Sequence, residues 1–124
     1  MASTLLVAED DRLGALLAEQ VLRGAGWEVV VTGDGVEAIE ALQAAPDRFA
    51  LALLDLVMPR ADAIAVIDAA RALRPAFPIV LTSGYPESFV RERLGARTIS
   101  GFVPKPWLLP TLVETVRRAL GELS

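Results

Sequence analysis

Apolar residues along this chain fall into two alternating patterns. Short unbroken runs rich in Val, Leu and Ile stand at residues 5–8, 29–31, 51–54, 79–81 and around Phe102 and Val103. Runs this short and this apolar predict strands buried on both faces of a parallel sheet. Between them apolar positions recur every three or four residues, which predicts helices with one buried stripe. Leu13, Leu16, Leu17 and Val21 share the first such face, and Ile39 and Leu42 the second. Ile64, Ile67 and Ala70 share the third, and Leu112, Val113, Val116 and Leu120 the last. A short, weakly apolar helix is expected near residues 86–94, carried by Phe89, Val90 and Leu94.

The breakers agree with this division. Gly24 and Gly26 close the first helix, Gly33-Asp34-Gly35 opens the second, and Pro46-Asp47 ends it. Asp62 suits the N-cap of the third helix, and Pro75 and Pro78 mark its end. Strands alternating with helices over short connections imply right-handed crossovers and helices on both sides of the sheet. The predicted fold is α/β: one doubly wound domain over residues 1–124 with a five-stranded parallel sheet. No linker, repeat or low-complexity stretch interrupts it.

Composition narrows the chemistry. The chain has 124 residues, enough for one domain, and 53% of them are hydrophobic, enough for a sizeable core. With 12 basic against 16 acidic residues the net charge is −4, which argues against a nucleic-acid partner held by counterion release. The apolar start is cut off by Glu9-Asp10-Asp11, too short for a secretory signal or a membrane span, so a cytoplasmic protein without a membrane partner is expected. There is no Cys and no His. Disulfides, thiolate metal sites, thiol catalysis and an internal phosphohistidine are thereby excluded. What remains is carboxylate, Lys, hydroxyl and backbone chemistry.

In a doubly wound sheet, ligands bind past the carboxyl ends of the strands. The strand ends here carry Glu9-Asp10-Asp11, Asp55, Thr82-Ser83 and Lys105-Pro106. Each has an ordinary explanation taken alone: acids that start a helix, a turn aspartate, hydroxyls that satisfy backbone groups, a solvated lysine. Together they place carboxylates, a hydroxyl and an ammonium on one edge. Crowded carboxylates repel, and a hard divalent cation relieves them; so few protein oxygens suit Mg²⁺ better than a Ca²⁺ cage. A carboxylate nucleophile needs no general base, so Asp55 could attack phosphorus directly, and Lys105 and Thr82 would stabilise the transferred group.

Four motifs follow one another along the chain: Leu5-Leu6-Val7-Ala8-Glu9-Asp10-Asp11, Leu53-Leu54-Asp55-Leu56-Val57-Met58-Pro59, Ile79-Val80-Leu81-Thr82-Ser83-Gly84-Tyr85 and Phe102-Val103-Pro104-Lys105-Pro106-Trp107. In this order they resemble the receiver domain of two-component response regulators over essentially the whole chain. The resemblance implies a flavodoxin-like (βα)5 fold with strand order 2-1-3-4-5. It implies Asp55 as phosphoacceptor and Glu9, Asp10, Asp55 and the Val57 carbonyl as the Mg²⁺ ligands. Thr82, Lys105 and Phe102 take the phosphoryl-binding and switch positions, with a cis bond between Lys105 and Pro106; Asp11 is left to start a helix. The implied partner is a histidine kinase or histidine phosphotransfer protein, and the output surface lies around the fourth helix, fifth strand and fifth helix, where a homodimer would form. Catalysis would be confined to the chain's own phosphorylation and dephosphorylation.

Several positions depart from the pattern. Arg60 and Ala63 stand where glycines are frequent, which puts the usual loop after Pro59 in question. Phe102 lacks the hydroxyl of the common Tyr. Val57 and Gly84, two beyond Asp55 and Thr82, cannot orient a hydrolytic water, which predicts a long-lived phosphorylated state. Trp107, Leu108 and Leu109 either close the core beneath the last helix or, with Phe102 and the fourth helix, form an exposed patch for a partner. The short stretch after the last helix suggests a stand-alone receiver, or one excised from a larger regulator or hybrid kinase, and Met1 leans toward the former.

Three rival readings fit the sequence less well. A phosphohydrolase with an aspartate nucleophile wants a second acid at position 57, where Val stands. A nucleotide-binding flavodoxin-like protein wants a Gly-rich loop after the first strand, and none is present. A phosphate-independent interaction module would be expected to lack a key residue, yet Asp10, Asp55, Thr82 and Lys105 are all in place.

Overall fold

The computed structural model describes residues 2–122. Among the described residues five strands alternate with five helices: β1 (Thr4–Ala8), α1 (Arg12–Gly24), β2 (Glu28–Thr32), α2 (Gly35–Ala44), β3 (Phe49–Asp55), α3 (Ala63–Leu73), β4 (Ile79–Ser83), α4 (Glu87–Leu94), β5 (Gly101–Pro104) and α5 (Leu109–Ala119). Each apolar run seen in the sequence lies within a strand. All pairings are parallel, in the order β2-β1-β3-β4-β5. This is the doubly wound order implied by the motifs.

The pleat divides the core into two layers. Leu6, Ala8, Ala52, Leu54, Ile79 and Leu81 pack with Leu42, Ile67, Val90 and their neighbours from α2, α3 and α4. Leu5, Val7, Leu51, Leu53, Val80 and Val103 pack with Leu22 of α1 and Leu112 and Val116 of α5. Helix starts are fixed as their sequences suggest: Asp11, Asp34 and Asp62 each accept a backbone N–H three residues on, at 3.0, 2.8 and 3.2 Å.

One predicted face is wrong. Leu13, Leu16 and Leu17 are 78%, 50% and 40% exposed, and α1 buries Ala15, Ala18 and Leu22 instead. The small alanines let the helix lie close to β1 and β2, and that rotation turns the leucines out to solvent. Trp27, just before β2, fills the space at the far end of α1, with the Arg117 guanidinium 5.0 Å from its ring centre.

The loop after Pro59 forms here without the frequent glycines. Arg60 adopts φ 70°, a left-handed conformation normally left to glycine, and its guanidinium pairs with Asp34 at 3.2 Å. The required glycine lies across the loop: a Cβ at Gly35 would overlap the Ala61 carbonyl.

Candidate functional site

Alternation along the strands builds the site. Glu9 follows Val7 by two residues, Asp55 follows Leu53, Thr82 follows Val80 and Lys105 follows Val103. Those apolar residues all face the α1/α5 layer, so the four polar side chains emerge on that same side at the carboxyl edge. Parallel pairing extends far enough to hold them there: the Glu9 N–H donates to the Thr32 carbonyl at 3.1 Å and the Lys105 N–H to the Ser83 carbonyl at 2.9 Å. Asp55 and Thr82 are direct register partners.

Lys105 organises the charges. Its Nζ donates to both carboxylate oxygens of Glu9 at 2.9 Å and to Oδ2 of Asp55 at 3.0 Å. Glu9 is 3% exposed. Burial raises the Glu9 pKa above its ordinary value, and the charge of Asp55 adds to the rise; the Lys105 ammonium offsets only part of it. Burial works against the charged form of Lys105, but its hydrogen bonds to Glu9 and Asp55 outweigh that and raise its pKa.

Asp10 completes an acidic triad. Glu9, Asp10 and Asp55 each offer an oxygen within 4.8 Å of the others, with Glu9 buried, Asp55 half-buried and Asp10 exposed. Three carboxylates set against one ammonium leave a net charge of about −2, and the open side at Asp10 leaves room for retained water. An all-oxygen donor set of this kind fits a hard divalent cation such as Mg²⁺.

The remaining predicted residues separate by layer. Phe102 is partly buried against the opposite layer, the one that contains α4. Val57 is 52% exposed, and its N–H donates to Oδ1 of Asp55 at 3.4 Å. The Lys105–Pro106 peptide is cis. Asp11 serves as a helix cap. The Trp107–Leu109 run divides between the two roles weighed for it: Trp107 packs half-buried on the α1/α5 core, Leu108 is 73% exposed, and Leu109 is half-buried.

Sequence reasoning anticipated neither the grip of Lys105 on Glu9 nor a contact made by Trp107. The indole Nε1–H of Trp107 donates to the Thr82 hydroxyl oxygen at 2.6 Å. An aromatic residue in an apolar run reads as packing, and only the parity of Thr82 with Lys105, two residues before Trp107, pointed toward the meeting.

A family model of the response regulator receiver domain matches residues 5–117. The chain belongs to that family. Among curated proteins it is 29% identical over 119 residues to the sensor kinase CckA of Brucella abortus (strain 2308), covering 96% of this chain and 13% of CckA. It is 33% identical over 122 residues to the sensor protein TorS of Escherichia coli (strain K12), covering 96% of this chain and 12% of TorS. The chain thus spans a small fraction of those relatives. A crystal structure of a response regulator receiver protein from Sinorhizobium medicae WSM419 superposes with TM-score 0.87 at 27% identity, covering 97% of this chain and 95% of that one. Receiver domains are signalling modules rather than ordinary enzymes, and control by phosphorylation is generic to them. Among the described residues no helix is long and apolar enough to cross a membrane.

Proposed function

We propose that this receiver, as a single domain over residues 1–124, is a phosphoacceptor switch that works in the cytoplasm. Asp55 accepts a phosphoryl group from a phosphohistidine on a histidine kinase or histidine phosphotransfer protein. The supporting observation is the position of Lys105 Nζ, 3.0 Å from Asp55 Oδ2 in a half-buried nest with Glu9 and Asp10. An Asp55 carboxylate oxygen forms the new bond to phosphorus while the bond from phosphorus to the donor imidazole nitrogen breaks, and the electron pair leaves with the imidazole. Glu9, Asp10, Asp55 and the Val57 carbonyl are the residues that would hold Mg²⁺. When bound, Mg²⁺ supplies positive charge beside the phosphoryl oxygens. Lys105 neutralises a second part of that charge, and Thr82 offers a hydroxyl from the neighbouring strand.

Two surface features support protein partners. Leu13, Leu17 and Trp107 line an apolar groove of about 480 Å³ that also reaches Lys105, beside the path a donor protein would take to Asp55. On the other side of the sheet edge, the exposed Tyr85 and Phe89 rings lie 4.8 Å apart at the start of α4. The α4-β5-α5 face around them is the output surface in this reading, and the one through which a second copy would associate.

Incubation with acetyl phosphate and Mg²⁺ followed by intact-mass measurement tests the proposal. One added phosphoryl group, absent from Asp55→Asn, is the expected result. An unchanged mass in the wild-type chain leaves a phosphate-independent interaction module.

A further inference from the structure

We propose that Trp107 is a positioning residue for the Thr82 hydroxyl, and that phosphorylation of Asp55 is read through this bond at the junction of β5 and α5. The inference rests on the phosphoacceptor reading above. An indole N–H is only a donor, so in the 2.6 Å contact the Thr82 oxygen must accept. The hydroxyl hydrogen therefore points away from Trp107. Among the described residues nothing accepts from it, and Thr82 is 1% exposed, so its orientation is set inside the protein. Asp55, the register partner of Thr82, emerges on the same side of the sheet. A phosphoryl oxygen on Asp55 is the acceptor this geometry leaves room for.

A chain of bonds from indole to hydroxyl to phosphoryl group strengthens along its length, because a hydroxyl that accepts one bond donates a stronger one. The same chain carries information outward. The Trp107 ring packs on the α1/α5 core, lies 5.7 Å from Lys105 Nζ, and walls the groove shared with Leu13 and Leu17. Phe102, the switch position with no hydroxyl, packs on the opposite layer and makes no such bond to Thr82. In this chain the polar link from the hydroxyl leads to Trp107.

The first measurement needs no phosphorylation. In the ¹⁵N-labelled protein, Thr82→Val should move the indole N–H resonance of Trp107. The resonance of Trp27, whose Nε1–H faces Glu122 at 3.4 Å, should stay in place and serves as the control. A Trp107 resonance unchanged by Thr82→Val overturns the proposal. The second measurement is the rate of labelling by acetyl phosphate with Mg²⁺. Trp107→Phe keeps the ring and removes the donor; it should slow labelling about fivefold, the worth of one ordinary hydrogen bond in a transition state. Thr82→Val should slow it at least as much, Thr82→Ser should restore it, and adding Trp107→Phe to Thr82→Val should change nothing further. Independent, multiplying effects would mean that Trp107 only packs, and would overturn the proposal. Absence of labelling in the wild-type chain defeats the phosphoacceptor reading. Normal wild-type labelling with Trp107→Phe equally fast defeats this inference alone.

Discussion

Lys105 grips Glu9 through both carboxylate oxygens, 2.9 Å from each, and so a buried acid is held by a cation that also serves Asp55. Lys105→Met keeps the aliphatic stem and removes the charge, leaving Glu9 and Asp55 to repel each other. Breaking a fully buried pair costs about 3–5 kcal/mol; the 27% exposure of the Lys105 side chain reduces this to roughly 2 kcal/mol. Urea denaturation should show that loss. Added Mg²⁺ should stabilise the variant more than the wild type, since the cation replaces the missing charge and binds only the folded chain. Equal stability of variant and wild type would refute the assigned role.

The loop after Pro59 predicts an inverted order of stability. A left-handed residue with a Cβ is strained by about 1–2 kcal/mol, and Arg60 sits at φ 70°. Arg60→Ala keeps that strain and loses the bond to Asp34, while Arg60→Gly loses the bond but relieves the strain. The glycine variant should be more stable than the alanine variant by about 1 kcal/mol in thermal melts. Across the same loop, Gly35→Ala should cost about 1–3 kcal/mol, because its methyl meets the Ala61 carbonyl backbone.

The exposed face of α1 makes another contrast. Leu13→Ser removes an apolar side chain that is 78% exposed and should change stability by no more than about 0.5 kcal/mol. Leu22→Ala, at a fully buried position four residues from Ala18, should cost about 2–5 kcal/mol. Comparable losses from the two would restore the leucine stripe to the core.

These contrasts mark how far the sequence could be read. Strands were legible because a strand covered on both sides has to be apolar throughout, as residues 51–54 are. The site was legible because Glu9, Asp55, Thr82 and Lys105 each follow such a run, and the run's pleat decides where they point. The buried side of α1 was not, because helix periodicity marks a stripe without saying whether alanines or leucines turn inward. Trp107 was only half legible: its apolar neighbours announce packing, and its meeting with Thr82 depends on the path between β5 and α5. The conformation of Arg60 was hidden because its side chain carries no sign of a left-handed backbone.

A pH-dependent contribution is expected away from the site. The Arg97 guanidinium donates to both oxygens of Asp68 at 2.7 and 2.9 Å, tying α3 to the segment after α4. This hydrogen bonding holds the Asp68 carboxyl below its ordinary value of 3.8. An acid with a lowered folded-state pKa adds stability above its ordinary value and loses it as pH falls through the lowered one. Asp68→Asn should therefore lower the melting temperature slightly near neutral pH, since both partners are exposed to solvent. The difference should close in strong acid. A gap that persists there would assign the effect to packing.

The phosphorylated state itself should be slow to decay. Water attacks an aspartyl phosphate faster when a polar group orients it, and the positions two beyond Asp55 and two beyond Thr82 are Val57 and Gly84. Val57 is 52% exposed, so its side chain can be replaced without disturbing the core. After removal of acetyl phosphate, the label on the wild-type chain should outlast seconds when followed by intact mass with Mg²⁺ present. Val57→Glu brings a carboxylate to the same rim, where it can align water and take a proton from it, and should shorten the lifetime several-fold. Val57→Leu adds bulk without polarity and should leave the lifetime unchanged. Decay within seconds in the wild type, or equal lifetimes in the Glu and Leu variants, would show that water reaches the acyl phosphate without help from position 57.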